Sequence, residues 1–244
     1  MSPKIRTVVR KEFREYRRNR FIVFTMAAMP VVVLLLLLVA ETFALPEGAS
    51  EEALRRPVGE ALLFLQLIPV MLPTTIAAYA VIGEREQRTL ETVLTTPVTD
   101  RELLTGKAIA AVIPTVVVSW LLFGVYVGLA EIFAPHVVVS QIWTVDQAVA
   151  MALLAPALAG FAIVVGILVS LRSSDFRVAQ QLAVLASAPV IGFVALATFR
   201  VVDPSVGLYA AAAAVVLLMD AVCWRLGVRL FSRERLLIAR RTAG

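Results

Sequence analysis

The chain has 244 residues, a formal net charge of +5, one histidine and one cysteine. A lone cysteine excludes an intramolecular disulfide and a multi-cysteine metal centre, and a lone histidine leaves no imidazole cluster for a metal to occupy. Hydrophobic residues make up 60% of the sequence and mean hydropathy is +0.87, which lies outside the composition of an ordinary soluble domain.

The amino-terminal segment, residues 1–20, is a basic arm carrying Lys4, Arg6, Arg10, Lys11, Arg14, Arg17, Arg18 and Arg20. Ile5, Val9, Phe13 and Tyr16 recur within it at helical spacing. That pattern predicts an amphipathic helix lying in the membrane interface, apolar side chains toward lipid and basic ones toward phosphates. A simpler role, a positive anchor that sets topology, is compatible with the same residues.

Six uncharged, mostly apolar stretches follow, at 21–40, 61–83, 108–130, 147–171, 178–199 and 204–219, the last resuming past Asp220 to Trp224. About 20 helical residues cross a hydrocarbon core of about 30 Å. Only a helix satisfies its own backbone there without closing a barrel. The expected fold is therefore all-α: a polytopic membrane protein with six transmembrane helices. The first stretch follows a charged arm and lacks a small-residue cleavage pattern, so it reads as a retained span.

Twenty of the Lys and Arg residues fall in the arm, the second and fourth connections and the carboxy-terminal tail, against Arg55, Arg56 and Arg200 on the other side. The positive-inside rule then places both termini in the cytoplasm, as an even number of spans requires. The same topology accounts for the net positive charge, and no nucleic-acid partner is expected.

Between spans one and two, residues 41–60 form an acidic external loop in which 50–56 has the start signal of a small helix. Pro30, Pro69, Pro73, Pro114, Pro156 and Pro189 stand inside spans one to five, where each removes a backbone hydrogen bond and favours a bend. Pro69 and Pro73, one turn apart, predict a broken or kinked second span. Gly124 and Gly128 make a small-xxx-small pair that permits a close helix neighbour. His136 belongs to the third connection and reads as an exposed loop residue. Gln66, Gln180, Gln181 and Asp220 are the notable polar side chains within the spans. An intramembrane carboxylate is a functional suspect, yet Asp220 stands five residues before Arg225, and pairing with a basic group is the expected structural role. Cys223 reads as ordinary packing.

The polar segment 83–107 joins spans two and three on the cytoplasmic side. Leu90, Val93 and Leu94 form an apolar face at i, i+3 and i+4, flanked by Glu84, Arg85, Glu86, Arg88 and Glu91. Pro97 ends that short helix, and Thr99 with Glu102 supplies a capping box for the next one. A charged amphipathic helix of this kind suits a groove on a soluble partner; it equally suits resting on lipid, and periodicity does not separate the two.

The arm, the six spans and a loop reading Glu84-x-Glu86-x-x-Thr89-Leu90-Glu91-x-x-Leu94-x-x-Pro97-Val98, then Gly106-Lys107, resemble the membrane-spanning subunits of ABC-2 type exporters. The tail residues Phe231-Ser-Arg-Glu234 add to the likeness. Arg88 stands where the family commonly has glycine. The resemblance implies a permease forming the translocation path, with 84–97 as a coupling helix held in a cleft of a separate ATPase subunit. Leu90, Val93 and Leu94 would anchor it, Glu84, Glu86, Arg88 and Glu91 would make the charged contacts, and the arm would brace the junction. It also implies a second permease copy, by default identical and alternatively a related chain, and an exported cargo of unknown identity.

No Gly-rich phosphate loop precedes Gly106-Lys107-Ala108. No catalytic, cofactor or metal residue is therefore expected in this chain, and ATP and Mg belong to the partner. The expected organisation is an arm at 1–20, a six-helix transmembrane domain at 21–231 in the cell membrane, and a short tail at 232–244. Two other readings remain open: an ion-gradient-driven secondary transporter, which would want paired midplane carboxylates, and a non-transporting membrane scaffold. An intramembrane enzyme would need a cluster of histidines, acids or a nucleophile pair that these spans lack.

Overall fold

Backbone self-sufficiency in lipid makes helix the expected state throughout, and no strand occurs among the described residues. The computed structural model describes residues 2–43, 51–78, 98–134, 136–173, 175–198 and 205–230. In chain order the helices are α1 (Pro3–Arg18), α2 (Arg20–Phe43), α3 (Glu51–Ala78), α4 (Asp100–Phe133), α5 (His136–Ile142), α6 (Val145–Arg172), α7 (Phe176–Ala186), α8 (Ala188–Thr198) and α9 (Val206–Leu230).

Among the described residues four helical stretches are long and apolar enough by themselves to cross a membrane: Pro57–Ala77, Asp100–Phe133, Val145–Ser170 and Val206–Arg229. Two bent pairs, α1 with α2 and α7 with α8, raise the number to six when each is taken as one span. The first pair turns by 86°, so α1 lies nearly across the axis of α2. Asn19 makes that corner. Its backbone N–H closes α1 on the carbonyls of Glu15 and Tyr16, and its side-chain oxygen accepts from the Ile22 N–H at 3.3 Å to open α2. The second pair bends by 46° at Ser187, two residues before Pro189.

Helix α6 is the hub, packing on α9, α3, α4 and α7. Its inward face alternates small and large apolar residues, with Ala150, Ala155, Ala157, Ala159 and Ala162 buried beside Leu154, Leu158, Phe161 and Ile163. Lipid tails offer no hydrophobic reward for helix association, so close backbone approach and polar contacts must supply it. Gly166 carries this furthest, since a Cβ there would sit 2.6 Å from the Ala77 Cβ on α3. Hydrogen bonds add to the packing. Gln66 Nε2 donates to Gln147 Oε1 at 3.2 Å, Gln180 Nε2 to Thr75 Oγ1 at 2.6 Å, and Trp120 Nε1 to the Met151 carbonyl at 3.1 Å. Two of the polar residues singled out within the spans, Gln66 and Gln180, are thus interhelical ties. Large apolar side chains such as Phe24, Leu36, Leu121 and Leu218 point outward, as a lipid-facing belt requires.

Several expectations change. Helix α3 runs unbroken through Pro57, Pro69 and Pro73, so of the broken or kinked second span that was expected, the break is absent. Proline costs less in a membrane helix because neighbouring groups satisfy the freed backbone. The small helix expected at 50–56 is the first part of α3, which begins at Glu51 and continues into the span. Val138 and Ile142 of α5 are buried in a core cluster with α2, α3, α4 and α6, while His136 at its start is exposed. Among the described residues nothing lies within 4 Å of the space a side chain at Gly124 or Gly128 would fill, and no described helix packs on the pair.

Gly166→Leu should drive α3 and α6 apart and cost about 1–3 kcal/mol. A fall in the thermal unfolding midpoint of the purified chain in detergent, with Gly124→Leu as the unchanged control, checks this.

Candidate functional site

Helix α1 was expected to turn Ile5, Val9, Phe13 and Tyr16 toward lipid. Instead Val8, Glu12 and Tyr16, spaced by four, form its buried face, with Ile5, Val9 and Phe13 half-buried beside them. Side chains four apart share one side of a helix, and this side packs on α4 and α2. The arm is therefore docked on protein along its inner face, leaving its exposed arginines outward.

At the centre of that contact Lys107 Nζ meets Glu12 Oε1 at 3.0 Å, both side chains almost wholly buried at 4% and 1% exposure. Lys11 reaches the same Glu12 oxygen at 3.5 Å and Glu15 at 3.1 Å. The preceding residue, Gly106, lets α1 come this close: a Cβ there would lie 2.5 Å from Val8 Cγ1. Two helix starts then converge on Glu102. Thr99 and Glu102 form the expected capping box, with Glu102 N–H donating to Thr99 Oγ1 at 3.3 Å and Thr99 N–H to Glu102 Oε2 at 3.1 Å. Ser2, the N-cap of α1, donates its hydroxyl to Glu102 Oε1 at 3.1 Å, and Lys4 lies 3.9 Å from Oε2.

This clamp stands at one end of the segment singled out for docking. Residues 84–97, including Glu84, Glu86, Arg88, Leu90, Glu91, Val93 and Leu94, lie outside the described residues. Their flanks do not. Ile76 and Ala77 near the end of α3, Leu103 and Leu104 in the first turn of α4, and Val8 and Tyr16 of α1 belong to one buried apolar cluster. Both attachments of the segment and the arm thus share a single packed foundation, which continues into α6 through Ile163 and Ile167.

The prolines are dispersed. Pro30, Pro69 and Pro73 are buried, Pro114 and Pro156 half-buried, and Pro189 exposed. Pro30 and Pro114 border one apolar cavity of about 450 Å³ between α1, α2 and α4, with Arg17 among its lining residues. Asp220 is separate from the clamp. It faces a groove between α4, α6 and α9, and the expected pairing with a basic group is not found: its Oδ1 is buried and has no hydrogen-bond partner among the described residues. Arg225 lies about 140° around the helix from it, on an exposed face. Among the described residues no three His, Cys, Asp or Glu side chains form a metal-binding group.

Glu12, Val8 and Asn19 were missed by the sequence reading. The available signal was an acid between basic neighbours in the arm, four residues from Val8 and from Tyr16, together with a lysine at the lip of an apolar span.

Lys107→Met should leave Glu12 buried without its closest cation and cost about 3–5 kcal/mol, whereas the double variant Glu12→Leu/Lys107→Met should regain most of that loss. Thermal unfolding of the four proteins in detergent, read as a double-mutant cycle, checks the sign of the coupling.

No curated protein matches the chain. The family described as ABC-2 family transporter protein matches residues 6–201, a stretch that takes in most of the arm, the clamp and the helices from α2 to α8. The chain belongs to that family of membrane transport proteins.

Proposed function

We propose that this chain is the permease subunit of an exporter, forming the translocation path and driven by ATP hydrolysis in a separate ATPase subunit. The observation that supports this best is the shared packing of the helix ends that flank 79–97: Ile76, Ala77, Leu103, Leu104, Val8 and Tyr16 lie in one cluster. A segment anchored at both ends in one rigid cluster passes force to the membrane helices, whereas a slack connector absorbs it. Leu90, Val93 and Leu94 enter a cleft of the ATPase, and Glu84, Glu86, Arg88 and Glu91 orient the contact.

Closure of two ATPases around nucleotide draws two such segments together. The clamp carries that displacement into α4 and α1 at once, and through Ile163 and Ile167 into α6. The proline-bearing spans then change access between the two sides. Nucleotide supplies the bias, because the ATPase pair prefers one arrangement of the segments over the other. ATP and Mg are bound by the partner. Gly106-Lys107 is not a phosphate loop here, since the lysine is committed to Glu12 inside a helix.

In the assembly two permease chains, identical or closely related, face each other in the cell membrane, with both termini in the cytoplasm. An outward surface of Ala, Val and Leu favours an apolar or amphipathic cargo.

Leu90→Asp/Leu94→Asp should weaken co-purification with the ATPase at least about tenfold, since each anchor in a docking cleft is worth 2 kcal/mol or more. The variant should keep the parent's unfolding midpoint. Undiminished co-purification, or ATP-independent cargo movement by the chain alone in vesicles, would overturn the reading.

A further inference from the structure

The groove between α4, α6 and α9 has a volume of about 380 Å³ and one charged group in its lining, Asp220. Its walls are otherwise apolar and include Ile109 and Ile113 of α4, Ile163 of α6 and Trp224 of α9. Asp220 leans on Gly160 of α6, where a Cβ would come within 2.7 Å of its Oδ2. Any larger residue at 160 would push the carboxylate away, so the groove is shaped around it. Yet Oδ1 is buried without a hydrogen-bond partner among the described residues. Among the described residues, the basic side chains that flank the lining in sequence are directed elsewhere. Lys107 is held by Glu12, and Arg225 and Arg229 lie about 140° and 180° around α9 from Asp220, on exposed faces.

A carboxylate inside an apolar membrane groove is costly unless a cation meets it. Trp224, four residues on and on the same side of the helix, adds an indole that attracts a cation. We propose that this groove binds a lipophilic amine, its ammonium on Asp220 and its apolar body against Ile109, Ile113 and Ile163. An aminophospholipid does not fit this arrangement. Asp220 lies about 7.5 Å deeper along α9 than Arg225, and an ammonium placed there would carry its phosphate deeper still, among isoleucines. The site is a property of the membrane helices and stands whether or not an ATPase drives the chain.

The full chain in phosphatidylcholine nanodiscs, with Trp120→Phe and Trp143→Phe leaving Trp224 as the lone tryptophan, is titrated with a bromododecyl ammonium probe. Saturable quenching is expected at concentrations at least tenfold below those needed for the bromododecyl sulfate. Asp220→Asn should raise the ammonium midpoint at least tenfold, and Gly160→Leu should do the same. Because Asp220→Asn removes a half-buried charge whose Oδ1 has no hydrogen-bond partner among the described residues, its unfolding midpoint without probe should equal or exceed the parent's, which separates lost binding from lost folding. In the parent carrying all three tryptophans, dodecylamine should raise the unfolding midpoint, and this rise should vanish in Asp220→Asn. Equal midpoints for ammonium and sulfate, or an unchanged midpoint in Asp220→Asn, would overturn the proposal. Displacement of the probe by phosphatidylethanolamine as readily as by dodecylamine would overturn it too.

Discussion

The contact between Glu12 and Lys107 constrains how the rest of the molecule can be arranged. Two opposite charges are held at 3.0 Å with almost no exposure, and neither tolerates separation, because each would then be a lone ion away from water. Helix α1 must therefore follow the first turns of α4. Gly106 and Val8 set how closely they meet, and Glu102 joins the two helix starts from outside. An interfacial helix that would otherwise drift on lipid becomes part of the protein's framework.

From that framework the packing leads inward along one helix. α6 packs on α9, α3, α4 and α7 with alanines interleaved among larger apolar side chains, and Gly166 lets α3 come closest. Gln66, Gln147, Gln180 and Thr75 add hydrogen bonds where a lone polar group would be penalised. The cluster that packs the facing ends of α3 and α4 and the floor of the Asp220 groove share Ile163 of α6. The clamp and the groove are also neighbours on α4, where Lys107 is followed by Ile109 and Ile113 of the groove wall.

The two carboxylates held among the helices illustrate two different solutions. Glu12 is buried and answered by lysines from its own helix and from α4. Asp220 is placed against a glycine, with its Oδ1 buried and bonded to nothing among the described residues. A structural acid needs its counter-charge built in. An acid left open inside an apolar groove is the arrangement from which a site for an external cation is made.

Helical class, the spans as apolar runs, and the Thr99–Glu102 capping box were legible in the sequence because each depends on residues within a few positions of one another. Hydropathy follows local composition, and a cap is a bond across three residues. The bend before Pro189 and the basic face of the arm belong to the same local order. The face that α1 buries did not follow from periodicity, because Ile5-Val9-Phe13-Tyr16 and Val8-Glu12-Tyr16 are both helical stripes. Only the position of α4 chooses between them. Helical spacing alone puts Arg225 about 140° around α9 from Asp220, but only the packing of α9 on α4 and α6 decides which side chains face that carboxylate. The sequence by itself determined which segments are helices and which can enter a membrane, through backbone hydrogen bonding and the cost of charge in hydrocarbon. Which faces meet, which acid is answered and which is left open were decided by the tertiary structure, because those contacts join residues 60 to 100 positions apart and depend on how whole helices are rotated against one another.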